Sequence, residues 1–187
     1  MAQLKRDNRL WRDFVPLAFH VDYWDHLGWR DRFASKEWTL RQQAYATRWN
    51  ASSVYTPGFV LDGSESRAQL PRASSENVGT LRLKTNDGVV VVSFAPGKTE
   101  ARDHDVYLAG LGFDLSSAVA AGENSGRKLS HDFVVLTLQK AVLSANSPES
   151  TFKIDKSGPD KIGALAAWIT PANDPAPIQA TGGWLPK

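Results

Sequence analysis

The chain has 187 residues, 42% of them apolar and 22% charged, an ordinary balance for a soluble globular protein. Its net charge of +2, from 22 basic and 20 acidic residues, offers no electrostatic footprint for nucleic acid or an anionic membrane. No stretch reaches the roughly 20 apolar residues of a membrane span. Cysteine is absent, which excludes disulfides, thiolate metal sites and cysteine nucleophiles from this chain.

Taken in order, residues 2 to 14 carry Leu4, Leu10, Trp11 and Phe14 at helical spacing, with Lys5, Arg6, Asp7, Arg9 and Arg12 opposite. No N-cap residue precedes them, so the predicted helix begins abruptly. The first ten residues show no apolar core after their positive charges and do not read as a signal peptide. Val15 to Val21 is nearly continuous apolar sequence, as expected for a strand buried on both faces. His20-Val21-Asp22-Tyr23-Trp24-Asp25-His26 follows at its C-terminal end, where open α/β sheets gather their sites. Ser35 is a candidate N-cap for a helix through Arg48, with Trp38, Arg41, Gln42, Tyr45 and Trp49 on one face.

Thr56-Pro57 then precedes Phe59, Val60 and Leu61, and Asp62-Gly63 signals a hairpin. Pro57 has no amide hydrogen and suits the start of a strand, either as a trans-proline at an edge or as a cis-proline beside a site. Ser64 to Leu70 reads as a short helix stopped by Pro71, and residues 73 to 77 as a polar linker. Beyond it the pattern changes. Thr80–Thr85 and Val89–Phe94 form a hairpin around Asn86-Asp87-Gly88. Further strands are predicted over Asp105–Leu111, Asp132–Leu138 running on to Leu143, Phe152–Ile154, Gly163–Ile169 and Ile178–Thr181. Many short strands between turn signals indicate a sandwich.

Several segments together resemble one known family. They are Leu17 to Asp25, Leu27-Gly28-Trp29-Arg30-Asp31, Phe33-Ala34-Ser35, Arg41-Gln42 with Tyr45, Val54 to Pro57, and Gly122 to Asp132. On these the chain resembles the thioredoxin-like exported bacterial proteins grouped as domain-of-unknown-function family twelve-twenty-three. The resemblance implies an α/β plus β fold. A thioredoxin-like part lacking its first strand occupies residues 1–72, and a mostly antiparallel β-sandwich occupies residues 78–187. It also implies periplasmic or secreted localisation. Its complete members carry a Cys-x-x-Cys before the first helix, so the resemblance implies an N-terminally truncated chain and thiol–disulfide chemistry for the complete form. Protein or peptide thiols and disulfides would then be the partners, and no cofactor is implied. Dithiol exchange needs two thiols, and this chain has none.

The candidate site residues follow. His20 and Asp22 are possible auxiliary acid–base groups near the family's cysteines. Alternatively, His20 caps the strand end and Asp22 and Asp25 satisfy loop amides. His20, Asp22, Asp25 and His26 could also ligate a divalent ion, although their spacing matches no metal motif and no metal is assigned. Thr56, Pro57, Tyr23 and Trp24 are the candidate substrate-binding residues. The aromatic group of Tyr23, Trp24, Trp29, Trp38 and Trp49 either lines a peptide or sugar groove or fills a core. Gly122 to Arg127 lacks the Gly-Lys-Ser/Thr ending of a phosphate loop and reads as a structured turn, with Glu123 and Arg127 able to pair across it. Ser130, His131 and Asp132 are too close in sequence for a catalytic triad. The second reading of the whole chain is therefore a non-catalytic module that binds a peptide, protein or glycan.

Overall fold

The computed structural model describes residues 2–66, 78–97, 102–122, 124–155 and 157–186. Its frame is two antiparallel sheets packed face to face. One has three strands: β3 (Gly79–Asn86), β4 (Val89–Pro96) and β9 (Glu149–Lys153), in the order β3-β4-β9. The other has four, in the order β11-β10-β5-β8: β5 (His104–Gly112), β8 (Val134–Leu143), β10 (Ala164–Pro171) and β11 (Gln179–Trp184). The predicted β3–β4 hairpin is present. Asp87 and Gly88 both take positive φ (47° and 79°), the geometry of a tight two-residue turn that matches strand twist. Alternation along β4 aims Val90, Val92 and Phe94 inward. They meet Val106, Leu108, Leu143, Leu165 and Ile169 of the facing sheet in one apolar core.

The sandwich and its strand positions follow the sequence pattern. The small hairpin of β6 (Leu115–Ala118) and β7 (Lys128–His131) was not anticipated. Strands β5 and β10 are almost wholly buried along their length, so the four-stranded sheet is covered on its second face as well. That face presents Ala109, Leu111, Val135, Ala164, Ala166 and Trp168. Trp11, Val15, Leu17, Phe19 and Trp38 from the first quarter of the chain pack over it.

This arrangement overturns the expected thioredoxin-like α/β start. Val15 to Val21 is extended, but its Ala18 forms an isolated parallel bridge to Val134 of β8, on the sandwich itself. It builds no sheet of its own, and it is half-buried rather than enclosed on both faces. Among the described residues the N-terminal half holds one α-helix, α1 (Lys36–Arg48), and a separate two-stranded hairpin of β1 (Phe59–Leu61) and β2 (Ser64–Ser66). The physical reason is the apolar outer face of the sandwich, which burial rewards covering. The N-terminal apolar residues serve as that cover instead of forming a second core.

The local expectations divide. Ser35 caps α1 as predicted, with extended backbone (φ −144°, ψ 142°) and its Oγ accepting from the Glu37 amide at 3.2 Å. Asp62 and Gly63 turn the β1–β2 hairpin with φ of 48° and 81°. The long helix over residues 2 to 14 is replaced by a short 3-10 helix, Ala2–Arg6. Asp7 then captures both the amide and the guanidinium of Arg9, and Trp11 adopts φ +67°, which together end helical geometry. Ser64–Ser66 is strand and not helix. The continuation to Leu70, the stop at Pro71 and the linker at 73–77 lie outside the described residues.

Candidate functional site: a cleft beside a bare backbone edge

The extended segment before α1 fixes the site. Ala18 donates its amide to the Phe133 carbonyl (2.8 Å) and accepts from the Val135 amide (3.0 Å), and the His20 carbonyl accepts from the Ser35 amide (3.0 Å). Backbone groups alternate sides along an extended chain, so those of Phe19 and Val21 point the other way. Among the described residues they have no hydrogen-bond partner. Phe19 and Val21 line a cleft of about 340 Å³. One wall is Ala18 to Val21 with Trp24, Asp25, Leu27, Trp29 and Asp31. Val119, Ala121, Gly122, Asn124 and Leu129, in and around the β6–β7 hairpin, form the other, and Thr56 also reaches the cleft.

His20 sits at the base. Its Nδ1 meets Asp31 Oδ2 at 2.5 Å, and both side chains are more than four-fifths buried. Asp31 is held in turn: its Oδ1 accepts from the Phe33 amide (3.0 Å), and its own amide donates to Asp25 Oδ1 (3.1 Å). Burial pushes the Asp31 carboxyl up, but the His20 imidazole and the Phe33 amide outweigh it and leave it below the ordinary carboxylate value. The His20 ring lies edge-on to the ring of His131 on β7, with centroids 5.1 Å apart. Phe33 touches both imidazoles, at 5.4 and 5.5 Å. His131 Nε2 lies 3.0 Å from Ser117 Oγ on β6. Ser117 pairs with Leu129, so His131 is its diagonal neighbour on the same face of the hairpin. Burial and the neighbouring His20 hold His131 below the ordinary imidazole value.

The other candidate residues separate around this centre. Asp22 is turned to α1, where its Oδ1 accepts from Thr39 Oγ1 (2.6 Å) and its amide donates to the same hydroxyl oxygen (3.2 Å). It is tied to the helix, not to the cleft. Asp25 supports Asp31, as the loop-amide reading held. His26 packs near Trp24, away from the His20 cluster, with ring centroids 6.4 Å apart. No group of three or more metal-ligating side chains occurs among the described residues. Trp24 is half exposed and lines the cleft, while Tyr23 lies edge-on beneath it. The Thr56–Pro57 bond is cis, and Thr56 lines the cleft along with His20. The aromatic group divides between its two readings: Trp24 and Trp29 line the cleft, whereas Trp38 is core and Trp49 donates its indole N–H to the Gly63 carbonyl.

Sequence reasoning missed Asp31, His131 and Ser117 as members of one cluster. A histidine and an acid eleven residues apart give no periodic signal, and His131 arrives from a hairpin that the pattern did not reveal. Residues 124–126 form a turn, after which Arg127 donates to Asn124 Oδ1 (3.2 Å); Glu123 lies outside the described residues.

The fold and cleft together define a β-rich protein with little helix, whose N-terminal layer and β6–β7 hairpin enclose a groove on the outside of a sandwich. Residues 1–169 match the family model described as Protein of unknown function (DUF1223), and the chain belongs to that family. Among solved structures it is similar to the X-ray crystal structure of a protein from Agrobacterium tumefaciens. The two share 24% identity and a TM-score of 0.62, over 91% of this chain and 79% of that one. At that identity the likeness is one of fold. No curated protein matches the chain.

Proposed function

We propose that this protein is a binding module whose cleft takes an extended peptide segment. The reading is carried by one observation: the cleft runs beside the backbone edge of Phe19 and Val21, whose amides and carbonyls have no partner among the described residues. An extended peptide laid there supplies main-chain hydrogen bonds, the means by which strand addition gains affinity, and alternate side chains enter the groove. Trp24 and Leu27, both about half exposed, offer apolar contact at the rim, and Thr56 and Asn124 offer hydrogen bonds. The chain holds no cysteine and therefore performs no dithiol exchange itself. The His20–Asp31 pair here orders the floor of the groove.

The test is selection from a library of extended peptides, followed by mapping of backbone amide shifts. Binding that moves the Phe19 and Val21 amides and slows their hydrogen exchange is the expected result. Shifts confined to another face, or binding of sugars in place of peptides, overturn it.

A further inference from the structure

The two walls of the cleft are separate pieces of structure that touch at a pair of imidazoles. The β6–β7 hairpin is a two-stranded sheet of its own; its turn carries Val119, Ala121, Gly122 and Asn124 of the second wall, and β7 carries Leu129. His131 at its base meets His20 of the first wall at 5.1 Å, with Phe33 against both rings. We propose that this contact is a pH-operated latch: a positive charge gained by the His131 imidazole drives the hairpin wall away from the His20 wall and releases the bound segment. The proposal rests on the peptide reading of the cleft for its last clause only.

The charges around the pair decide the sign. Asp31 is the carboxylate in direct contact with His20, and it is hydrogen-bonded to that ring alone of the two. Asp132 follows His131, but its carboxylate is engaged by Lys5 at 2.8 Å and by the Asp114 amide at 3.0 Å. Arg32 lies 4.1 Å over the Phe33 ring and adds positive charge, itself paired with Asp160 at 2.7 Å. Ser117, facing His131 from β6, accepts or donates one hydrogen bond and carries no charge. An imidazolium at His131 would thus have no carboxylate in direct contact and a guanidinium nearby. Burial and the His20 ring both hold His131 below its ordinary value, so its neutral form belongs to the closed state. Closure is then complete above the ordinary histidine pKa and is lost as pH falls below it.

The experiment measures amide protection factors over residues 115–131 in the free protein at pH 7.5 and 5.5, corrected for intrinsic exchange, in the wild type and in His131→Gln. Protection in the wild type should fall on acidification, and in the variant by much less. Equal loss in both, or no loss in the wild type, overturns the latch. If the variant does not fold, NMR titration of the His131 ring in the wild type decides. Titration below the ordinary value, coincident with loss of hairpin protection, supports the latch, and titration without such loss overturns it. Peptide affinity measured over the same pH range separates the two readings. A peptide that never binds removes the peptide site while the exchange result still stands or falls alone. A bound peptide whose affinity ignores pH overturns release by the latch.

Discussion

Arg41 of α1 lies over the indole of Trp168 on β10, with its guanidinium carbon 5.1 Å from the ring centroid. Phe19, Tyr45 and Tyr107 surround the same cation at 5.0 to 5.5 Å, and Tyr107 stacks on Trp168 at 5.1 Å. The helix is thus joined to the outer face of the sandwich partly by a cation set among aromatic rings. Cation–π contacts contribute about 0.5–1 kcal/mol when exposed and about 2 kcal/mol when desolvated. Arg41→Ala should therefore destabilise the protein by about 2 kcal/mol, and Arg41→Lys should restore only part, because the planar guanidinium stacks where an ammonium does not. Urea unfolding of the two variants is the measurement; an unchanged midpoint for Arg41→Ala refutes the role of the cation.

Close approach at the other end of the N-terminal layer gives a second prediction. Gly182 of β11 lies beneath the Trp11 ring, and a Cβ there would stand 2.6 Å from Trp11 Cε3 and 2.9 Å from the Leu165 carbonyl oxygen. Trp11 also packs edge-on against Trp184 and Phe133. Overpacking typically costs about 1–3 kcal/mol. Gly182→Ala should cost about that much, lift Trp11 from the sheet and shift tryptophan fluorescence to the red. Wild-type emission combined with wild-type stability would show that the layer does not rest on this contact.

These two contacts show what the sequence could and could not convey. Alternation in Val89–Phe94, the Asp-Gly turns and the Ser35 cap are local signals, and the sandwich strands and α1 lie where those signals put them. The apolar run Val15 to Val21 is equally clear as an extended segment, but nothing local says which sheet it joins. A thioredoxin-like sheet and the outer face of a sandwich make the same demand for apolar residues. The choice lies in partners more than a hundred residues away, such as Val134 for Ala18 and Trp168 for Arg41. Trp24 and Thr56, proposed as substrate-binding from their neighbours in sequence, line the cleft. The Asp31–His20–His131–Ser117 cluster was not legible, since it is assembled from four separated segments.

Lys5 leads to a prediction about acid stability. Its ammonium contacts Asp132 at 2.8 Å, where the carboxylate is almost wholly buried, and also contacts the exposed Asp114. Burial raises the Asp132 carboxyl, but the Asp114 amide and Lys5 more than offset it and hold it below the ordinary value. A depressed carboxyl contributes stability that is present above its unfolded pKa and lost as pH falls through the folded one. Lys5→Met removes the ammonium and leaves the buried carboxylate to the Asp114 amide. A loss of about 1–3 kcal/mol at neutral pH is expected, the usual cost of an unsatisfied buried polar group. The difference between variant and wild type should shrink as pH drops below the ordinary carboxylate range. Chemical denaturation at pH 7 and pH 3 tests both parts, and a pH-independent difference would assign the effect to packing of the lysine stem.

Asp22 and Trp24, two residues apart, should separate structure from binding. The Asp22 carboxylate is spent on Thr39, so Asp22→Ala removes a tie between the loop and α1 comparable to a helix cap, at a cost of about 0.5–2 kcal/mol. It should leave the affinity of the folded protein for a selected peptide nearly unchanged. Trp24 is half exposed at the rim of the cleft, and its truncation leaves little buried space behind. Trp24→Ala should leave the unfolding midpoint nearly unchanged and weaken peptide binding by tenfold or more, a loss typical of an aromatic anchor worth about 2 kcal/mol. Calorimetric titration beside thermal unfolding reads both quantities for each variant. Should Asp22→Ala abolish binding without unfolding the protein, or Trp24→Ala unfold it without altering affinity, the division between helix tie and cleft rim is wrong and the peptide path must be redrawn through the loop instead.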